Sequence, residues 1–264
     1  MSKYLIDIQN ATVARSNTIL DKFTFRIAPF EHTAIIGPNG CGKSTFIRML
    51  MRDLYPTYVP GDEAISLFKG QSNWSMAQLR QSIGLISMKF ADALAEIDGL
   101  GVYDSVASSY FGTFGFYKAT DLTTEMKTRI DETLIRLDLA ALATRTIRSL
   151  STGQLRKVLI GRAMVLQPDL LLLDEPTLGL DIRAQRDFLS YLEYSAETAT
   201  IVMVTHSLEE IVPMIKKVLL IKDGKVFAFG DREAILTSEN LSNLFGLDLA
   251  VRRSEAGDYS MHWL

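Results

Sequence analysis

The residues Gly37-Pro38-Asn39-Gly40-Cys41-Gly42-Lys43-Ser44-Thr45 fit the P-loop pattern in full. Each part has a physical task. The glycines let backbone N–H groups turn inward and cradle phosphate oxygens. A helix following the loop aims its positive end at the same anion. Lys43 can reach the β and γ phosphates of a nucleoside triphosphate, and the Ser44 hydroxyl can ligate Mg²⁺. A second group, Leu170-Leu171-Leu172-Leu173-Asp174-Glu175, is an apolar run closed by two acids. A buried strand of this kind delivers a carboxylate to its C-terminal edge, where ligands bind in open α/β sheets. Asp174 would hold Mg²⁺ there, and Glu175 would orient and deprotonate an attacking water. The bland alternative is an acid that merely caps the strand end. A third group, Ser149-Leu150-Ser151-Thr152-Gly153-Gln154, opens a helix that runs on to about Leu166. Taken alone, Ser151 could be an ordinary N-cap.

These groups need strands that end at one edge and helices that begin there. Residues 33–36 read as a short buried strand running into Gly37. Phe46, Ile47, Leu50 and Leu54 then fall at helical spacing. Upstream, residues 4–8 and 19–27 alternate as strands, and 64–68 and 83–86 are two more. From about 89 to 160 the strand runs stop and the chain reads as helices, for example 125–139 with Ile130, Leu134 and Leu137. Alternation then resumes: strand 170–173, helix 182–194, strand 200–204, helix 208–215, strand 218–221. Such alternation means a largely parallel sheet covered by helices. Residues 234–245 read as one helix, and the last twenty carry no clear pattern.

Composition narrows the classes. Hydrophobic residues make up 47% and charged residues 22% of 264, as in a folded globular chain rather than a disordered or collagenous one. Apolar runs such as 170–173 are short and closed by Asp169 and Asp174, far below the ~20 residues of a spanning helix. The N-terminal residues show no apolar segment of signal-peptide length. The 28 basic and 31 acidic residues leave a net charge of −3, without the basic footprint of a nucleic-acid binder. One cysteine, Cys41, allows no internal disulfide.

The P-loop, the Leu150-Ser151-Thr152-Gly153-Gln154 run, the acid-terminated strand leading to Pro176, Gly179-Leu180-Asp181, and Val204-Thr205-His206 occur in one order at mutually consistent spacing. The set resembles the ATP-binding cassette (ABC) ATPases over essentially residues 1–230. The resemblance implies an α/β fold: a P-loop NTPase core of mostly parallel sheet flanked by helices, an N-terminal antiparallel β subdomain, and an inserted α-helical subdomain. The corresponding domains are residues 1–88 (core with β subdomain), 89–160 (helical, signature-bearing), 161–232 (core continued) and 233–264 (C-terminal helix and tail). It also implies ATP and Mg²⁺ as ligands and a head-to-tail dimer with a second copy of the chain. In such a dimer Ser151, Thr152, Gly153 and Gln154 close over the partner's γ-phosphate, helped by the helix dipole. Asp181 would lie in the loop coupling the two sites. His206 would contact the γ-phosphate and keep Glu175 and the water in line.

Two departures stand out. Members carry an aromatic ring upstream of the P-loop to stack on adenine, and here the position is Arg15. A guanidinium plane can stack on a base, or the arginine can be solvated and the adenine grip weak. Members also follow the 83–86 strand with a glutamine that touches Mg²⁺ and senses the membrane partner. Here the residues are Ser87-Met88, and a thioether is a poor ligand for a hard cation. Gln71, Gln78 and Gln81 precede the strand and are poor substitutes. Ile83-Gly84-Leu85-Ile86-Ser87, with Tyr110-Phe111-Gly112 downstream, is similar to a branch near molybdate-type cassettes.

Two features have divided readings. Cys41, among loop amides at a helix start, should have a lowered thiol pKa and be alkylated readily unless ATP shields it; or a small side chain is simply required there. The aromatic stretch 110–117 is either a groove for a partner's helix or packing inside the helical lobe. The function implied by the resemblance is the ATPase subunit of a transporter. It would work at the cytoplasmic face of a membrane through separate transmembrane subunits. The alternative is a soluble ABC ATPase acting on a macromolecule. The distance from Lys43 to Ser151 leaves no room for a long coiled-coil insertion. A nucleotide-binding module without turnover is disfavoured, because Lys43, Asp174, Glu175 and His206 are all present.

Overall fold

The computed structural model describes residues 2–14, 17–61, 63–115 and 117–264. The chain opens with β1 (Ile6–Ala14), β2 (Thr18–Ile27), β3 (Thr33–Ile36), α1 (Lys43–Leu50) and β4 (Ile65–Phe68). Next come α2 (Met76–Ser82), β5 (Ile83–Ser87), α3 (Met88–Ala95), α4 (Val102–Ala107) and α5 (Thr124–Arg136). They are followed by α6 (Thr152–Met164), β6 (Leu170–Asp174), α7 (Ile182–Ser195) and β7 (Thr200–Val204). The chain ends with β8 (Lys217–Lys222), β9 (Lys225–Asp231), α8 (Arg232–Ile235), α9 (Ser238–Phe245), β10 (Leu249–Arg253) and β11 (Tyr259–Trp263). Two compact units result, Met1–Met76 with Thr200–Leu264, and Ala77–Ala199. Among the described residues no helix is long and apolar enough to cross a membrane.

In the first unit, β2, β1 and β4 form an antiparallel sheet in that order. The period-two pattern sets its register: Ile6 pairs with Ile27 and Ile8 with Phe25, and all four side chains are buried. Beside it, β3 is buried along its whole length, parallel to both β7 and β8, while β9 closes the edge antiparallel to β8. A strand covered on both faces has no polar side to present, which is why Thr33-Ala34-Ile35-Ile36 and Ile201-Val202-Met203-Val204 do not alternate. Phe46 of α1 is fully buried, with Phe23 and Phe25 each 5.5 Å away centroid to centroid. The antiparallel sheet therefore seats the helix that leaves the P-loop.

In the second unit, β5 and β6 pair in parallel from Ile83↔Leu170 to Ser87↔Asp174. Among the described residues no strand lies between α3 and α6, where α4, α5 and four 3₁₀ turns occur. Arg162 of α6 organises this region. Its guanidinium donates to the carbonyl of Ser105, the hydroxyl of Ser108 (2.9 Å) and the carbonyl of Thr113 (2.9 Å). It also lies over the rings of Phe90 and Phe114, and burial pulls its pKa down to about 10. Phe114 packs on Phe90, Phe111 stacks on Tyr117, and the Tyr110 hydroxyl donates to the carbonyl of Val165. These described aromatics are thus packing within the helical region.

Three local expectations change. The helix expected over 208–215 is only a 3₁₀ turn, Leu208–Glu210. Pro213 lacks an N–H and disfavours helical backbone in the residue before it. The helix expected over 234–245 is split into α8 and α9. Thr237 is extended, and its hydroxyl accepts from the Asn240 amide, so it starts a new helix rather than continuing the old one. The last residues form the β10–β11 hairpin.

Phe46→Ala should remove roughly 3–5 kcal/mol from the stability of the first unit, while Phe46→Leu recovers much of it. Chemical denaturation checks this, and an unchanged midpoint for the alanine variant would show that the aromatic cluster does not hold α1.

Candidate functional site

The buried strand β3 ends at Ile36, and the chain turns at once. Gly37 has no room for a side chain, since a Cβ would lie 2.4 Å from the carbonyl oxygen of Ile221. Gly42 has φ +111°, and a Cβ there would meet Leu20 at 2.6 Å, so both backbone and space demand glycine. Helix α1 begins at Lys43 with no side-chain cap and no acid in its first turn. Its leading amides therefore face no competing protein acceptor from a cap, as an anion cradle requires. Lys43 is buried, and its Nζ donates to the carbonyls of Gly37 (2.7 Å) and Pro38 (2.9 Å). It is folded across the loop from inside. Asn39, Gly40 and Ser44 are exposed, Pro38 and Thr45 half-buried.

His206 belongs beside this loop. Ile35 is in parallel register with Val204, so Gly37 and His206 are the residues two beyond that pair on neighbouring strands. The Thr205 amide donates to the carbonyl of Ile35 and carries the alignment past the strand end. The Thr205 hydroxyl accepts from the Ser207 amide at 2.9 Å and fixes the turn, leaving His206 exposed.

The second unit builds its own edge. Leu170 to Leu173 are fully buried, and β6 brings out Asp174 opposite Ser87 of β5. Glu175 follows with φ +47°, a left-handed conformation that is uncommon for a non-glycine residue and costs energy. Ser87 caps α3, its hydroxyl accepting from the Phe90 amide, and Met88 is the helix's first residue. Asp174 carries a hard oxygen of the kind Mg²⁺ prefers, whereas the Met88 sulfur is a poor ligand for it.

Ser151 is the N-cap of α6 in a complete capping box. Its hydroxyl accepts from the Gln154 amide (3.3 Å), and the Gln154 side-chain oxygen accepts from the Ser151 amide (3.0 Å). The bland reading of Ser151 as a cap is thus true of its geometry. Asp181 is the N-cap of α7, its carboxylate accepting from the Ala184 amide at 2.8 Å. Ser151, Gly153, Gln154 and Asp181 line one cavity of about 400 Å³ together with Arg183, which the sequence reading did not single out. Thr152 lies exposed on the first turn of the same helix.

Cys41 corrects an expectation. It is buried, and burial pushes its thiol up, outweighing the Lys43 charge and the loop amides that pull the other way. A Cβ on Gly37 would lie 2.6 Å from its sulfur, so the position calls for a small packed side chain. Arg15 lies outside the described residues.

A glycine-rich turn leading from a buried parallel strand into a helix, with acids closing a second such strand, defines a P-loop nucleotide-binding fold. A family model described as ABC transporter matches residues 20–178. The ABC transporter ATP-binding protein YlmA of Bacillus subtilis is 31% identical over 257 residues, covering 94% of this chain and 93% of that protein. The molybdate import ATP-binding protein MolC of Haemophilus influenzae is 32% identical over 244 residues, covering 90% of this chain and 86% of its own. The solved structure of CbiO1 from Clostridium perfringens, part of the transporter complex CbiONQ, superposes with a TM-score of 0.75 at 27% identity, covering 92% of this chain and 94% of that one. The chain belongs to the ABC transporter family and is an ATP-binding ATPase subunit of it.

Cys41 should be alkylated several-fold more slowly in the folded protein than in the unfolded chain at pH 8, because a raised thiol pKa leaves less thiolate at that pH. Mass spectrometry after timed iodoacetamide treatment reads this, and equal rates would contradict the burial argument.

Proposed function

We propose that this chain hydrolyses ATP as one half of a head-to-tail dimer of two copies and thereby powers import through separate membrane-spanning subunits. The observation that carries the reading is the parallel register that aligns Gly37 with His206, with Lys43 folded into the same loop. Lys43 and the amides of residues 37–45 hold the phosphates, and Lys43 leaves the Gly37 and Pro38 carbonyls to do so. Arg15 contributes to holding the adenine. Glu175 takes the proton of the attacking water, and His206 keeps that water and Glu175 in line. Ser44 and Asp174 hold Mg²⁺, which neutralises charge on the phosphate oxygens when bound.

The capping box supports the role given to residues 151–154. It uses a lone pair of the Ser151 oxygen and leaves the hydroxyl hydrogen free to donate to a partner's γ-phosphate. The box also holds the helix start rigid. Asp181, on the same cavity, couples the two sites. Residues 1–88 and 161–232 act as the nucleotide-binding core, 89–160 as the signature lobe, and 233–264 as an appended tail. Import follows the relative named for molybdate import, and work through other subunits follows the neighbour described as part of the transporter complex CbiONQ; a place at the cytoplasmic face belongs to the same proposal.

Glu175→Gln should lower ATP turnover by at least about a hundredfold and trap an ATP-dependent dimer on gel filtration. Ser151→Arg in that background should abolish the dimer while leaving ATP binding intact. Turnover near the wild-type rate in Glu175→Gln would remove Glu175 as the base. Co-purification gives the second test. A multi-spanning membrane protein in the pull-down is the expected outcome, and ribosomes or nucleic acid in its place would favour an ABC ATPase acting on a macromolecule.

A further inference from the structure

Arg156 stands on α6, two residues beyond Gln154, and is 1% exposed. Its Nη2 donates to the carbonyl of Leu178 at 3.0 Å and meets the sulfur of Met88. Among the described residues, Nε and Nη1 find no hydrogen-bond partner. Buried arginines ordinarily sit on carboxylates, because the cost of removing the charge from water has to be offset. Arg156 has one carbonyl and a thioether, which is a weak acceptor. Asp92 helps through space only, and burial outweighs it. Replacing a buried charge by an apolar side chain of similar volume is often neutral or stabilising. What Arg156 supplies is location.

The two groups it touches define that location. Leu178 lies three residues past Glu175 and three before Asp181. Met88 follows Ser87, which is in register with Asp174. Glu175 itself is in left-handed backbone, and strained residues persist only where their surroundings over-determine them. We propose that Arg156 is a positioning residue for hydrolysis: it ties the loop after Glu175 and the end of β5 to the helix that carries Ser151, so that these three segments hold one arrangement. The proposal rests on the ATPase reading above. At Met88 the guanidinium has no acceptor to offer a cation, so it does not replace a glutamine ligand there; it ties that position to α6. Arg156 touches no reacting atom in this role and acts through the segments it holds.

The test has two arms on the full chain. In the first, steady-state turnover is measured for Arg156→Met, Arg156→Lys and Met88→Leu. Arg156→Met should lower kcat by roughly ten- to a hundredfold with the KM for ATP changed less than about twofold. Arg156→Lys, which keeps one donor to Leu178, should recover part of the loss. In the second arm, hydrogen exchange of the apo protein is followed at Leu178 and Leu180, whose amides bond to the carbonyls of Glu175 and Thr177, and at Phe90, bonded to Ser87. Arg156→Met should speed exchange at all three and leave the β10–β11 hairpin unchanged. Wild-type kcat in Arg156→Met overturns the proposal, and so does a fall in kcat without faster exchange at those amides. If Arg156→Met does not fold, Arg156→Lys and Met88→Leu decide: each should lower kcat several-fold at unchanged KM, and wild-type kcat in both is a refutation. The parent reading fails separately, by absence of turnover in the wild type. The exchange arm still judges the tie in that case.

Discussion

Everything at the P-loop depends on β3 being buried along its whole length between two parallel neighbours. Backbone groups on such a strand are committed to the ladder, and its side chains to the core. The chain can change direction only beyond Ile36. It does so against the Ile221 carbonyl, which forbids any side chain on Gly37. The amides that would otherwise have stayed in a ladder are thereby released at one edge, at the start of an uncapped helix. The cradle, the Lys43 contacts and the alignment with His206 are consequences of where that strand stops.

The second unit follows the same logic with different materials. Four consecutive leucines on β6 are fully buried, and the first polar residue to emerge is Asp174. Helix α6 then carries two buried arginines. Arg162 gathers the carbonyls and rings of the segment before α5 onto the helix. Arg156, nearer the capping box, reaches Leu178 and Met88. Cations in such places are costly, and hydrogen bonds to several segments give them a defined geometry in return. One helix thus joins the Ser151 cap to two neighbouring segments of its unit.

The motifs were legible because their chemistry is local. A P-loop needs glycines, a lysine and a hydroxyl in consecutive positions, and an acid-terminated strand needs only an apolar run and its end. Element types followed from period, so β2, α5 and β6 are legible directly, whereas the first strand, read over 4–8, runs on to Ala14 and the first helix, read to Leu54, stops at Leu50. What stayed hidden were competitions that period does not reveal. Pro213 cut a helix that the apolar spacing suggested, and the Thr237 hydroxyl restarted one. The pairing of β10 with β11 depends on contacts between segments that show no pattern alone.

The sequence by itself determined the class of chemistry, the order of the parts and the family to which the chain belongs. Those depend on which atoms are available at consecutive positions. Tertiary structure decided how each group is tuned. Cys41 reads as an activated thiol beside amides, yet burial pushes it the other way. The aromatics of 110–117 could have faced a partner, yet the described ones pack against one another, α3 and the residue after α6. Arg156 reads as one more charge on a helix until Leu178 and Met88 are brought to it. Desolvation and contacts between distant segments are properties of the assembled core, and no stretch of residues carries them alone.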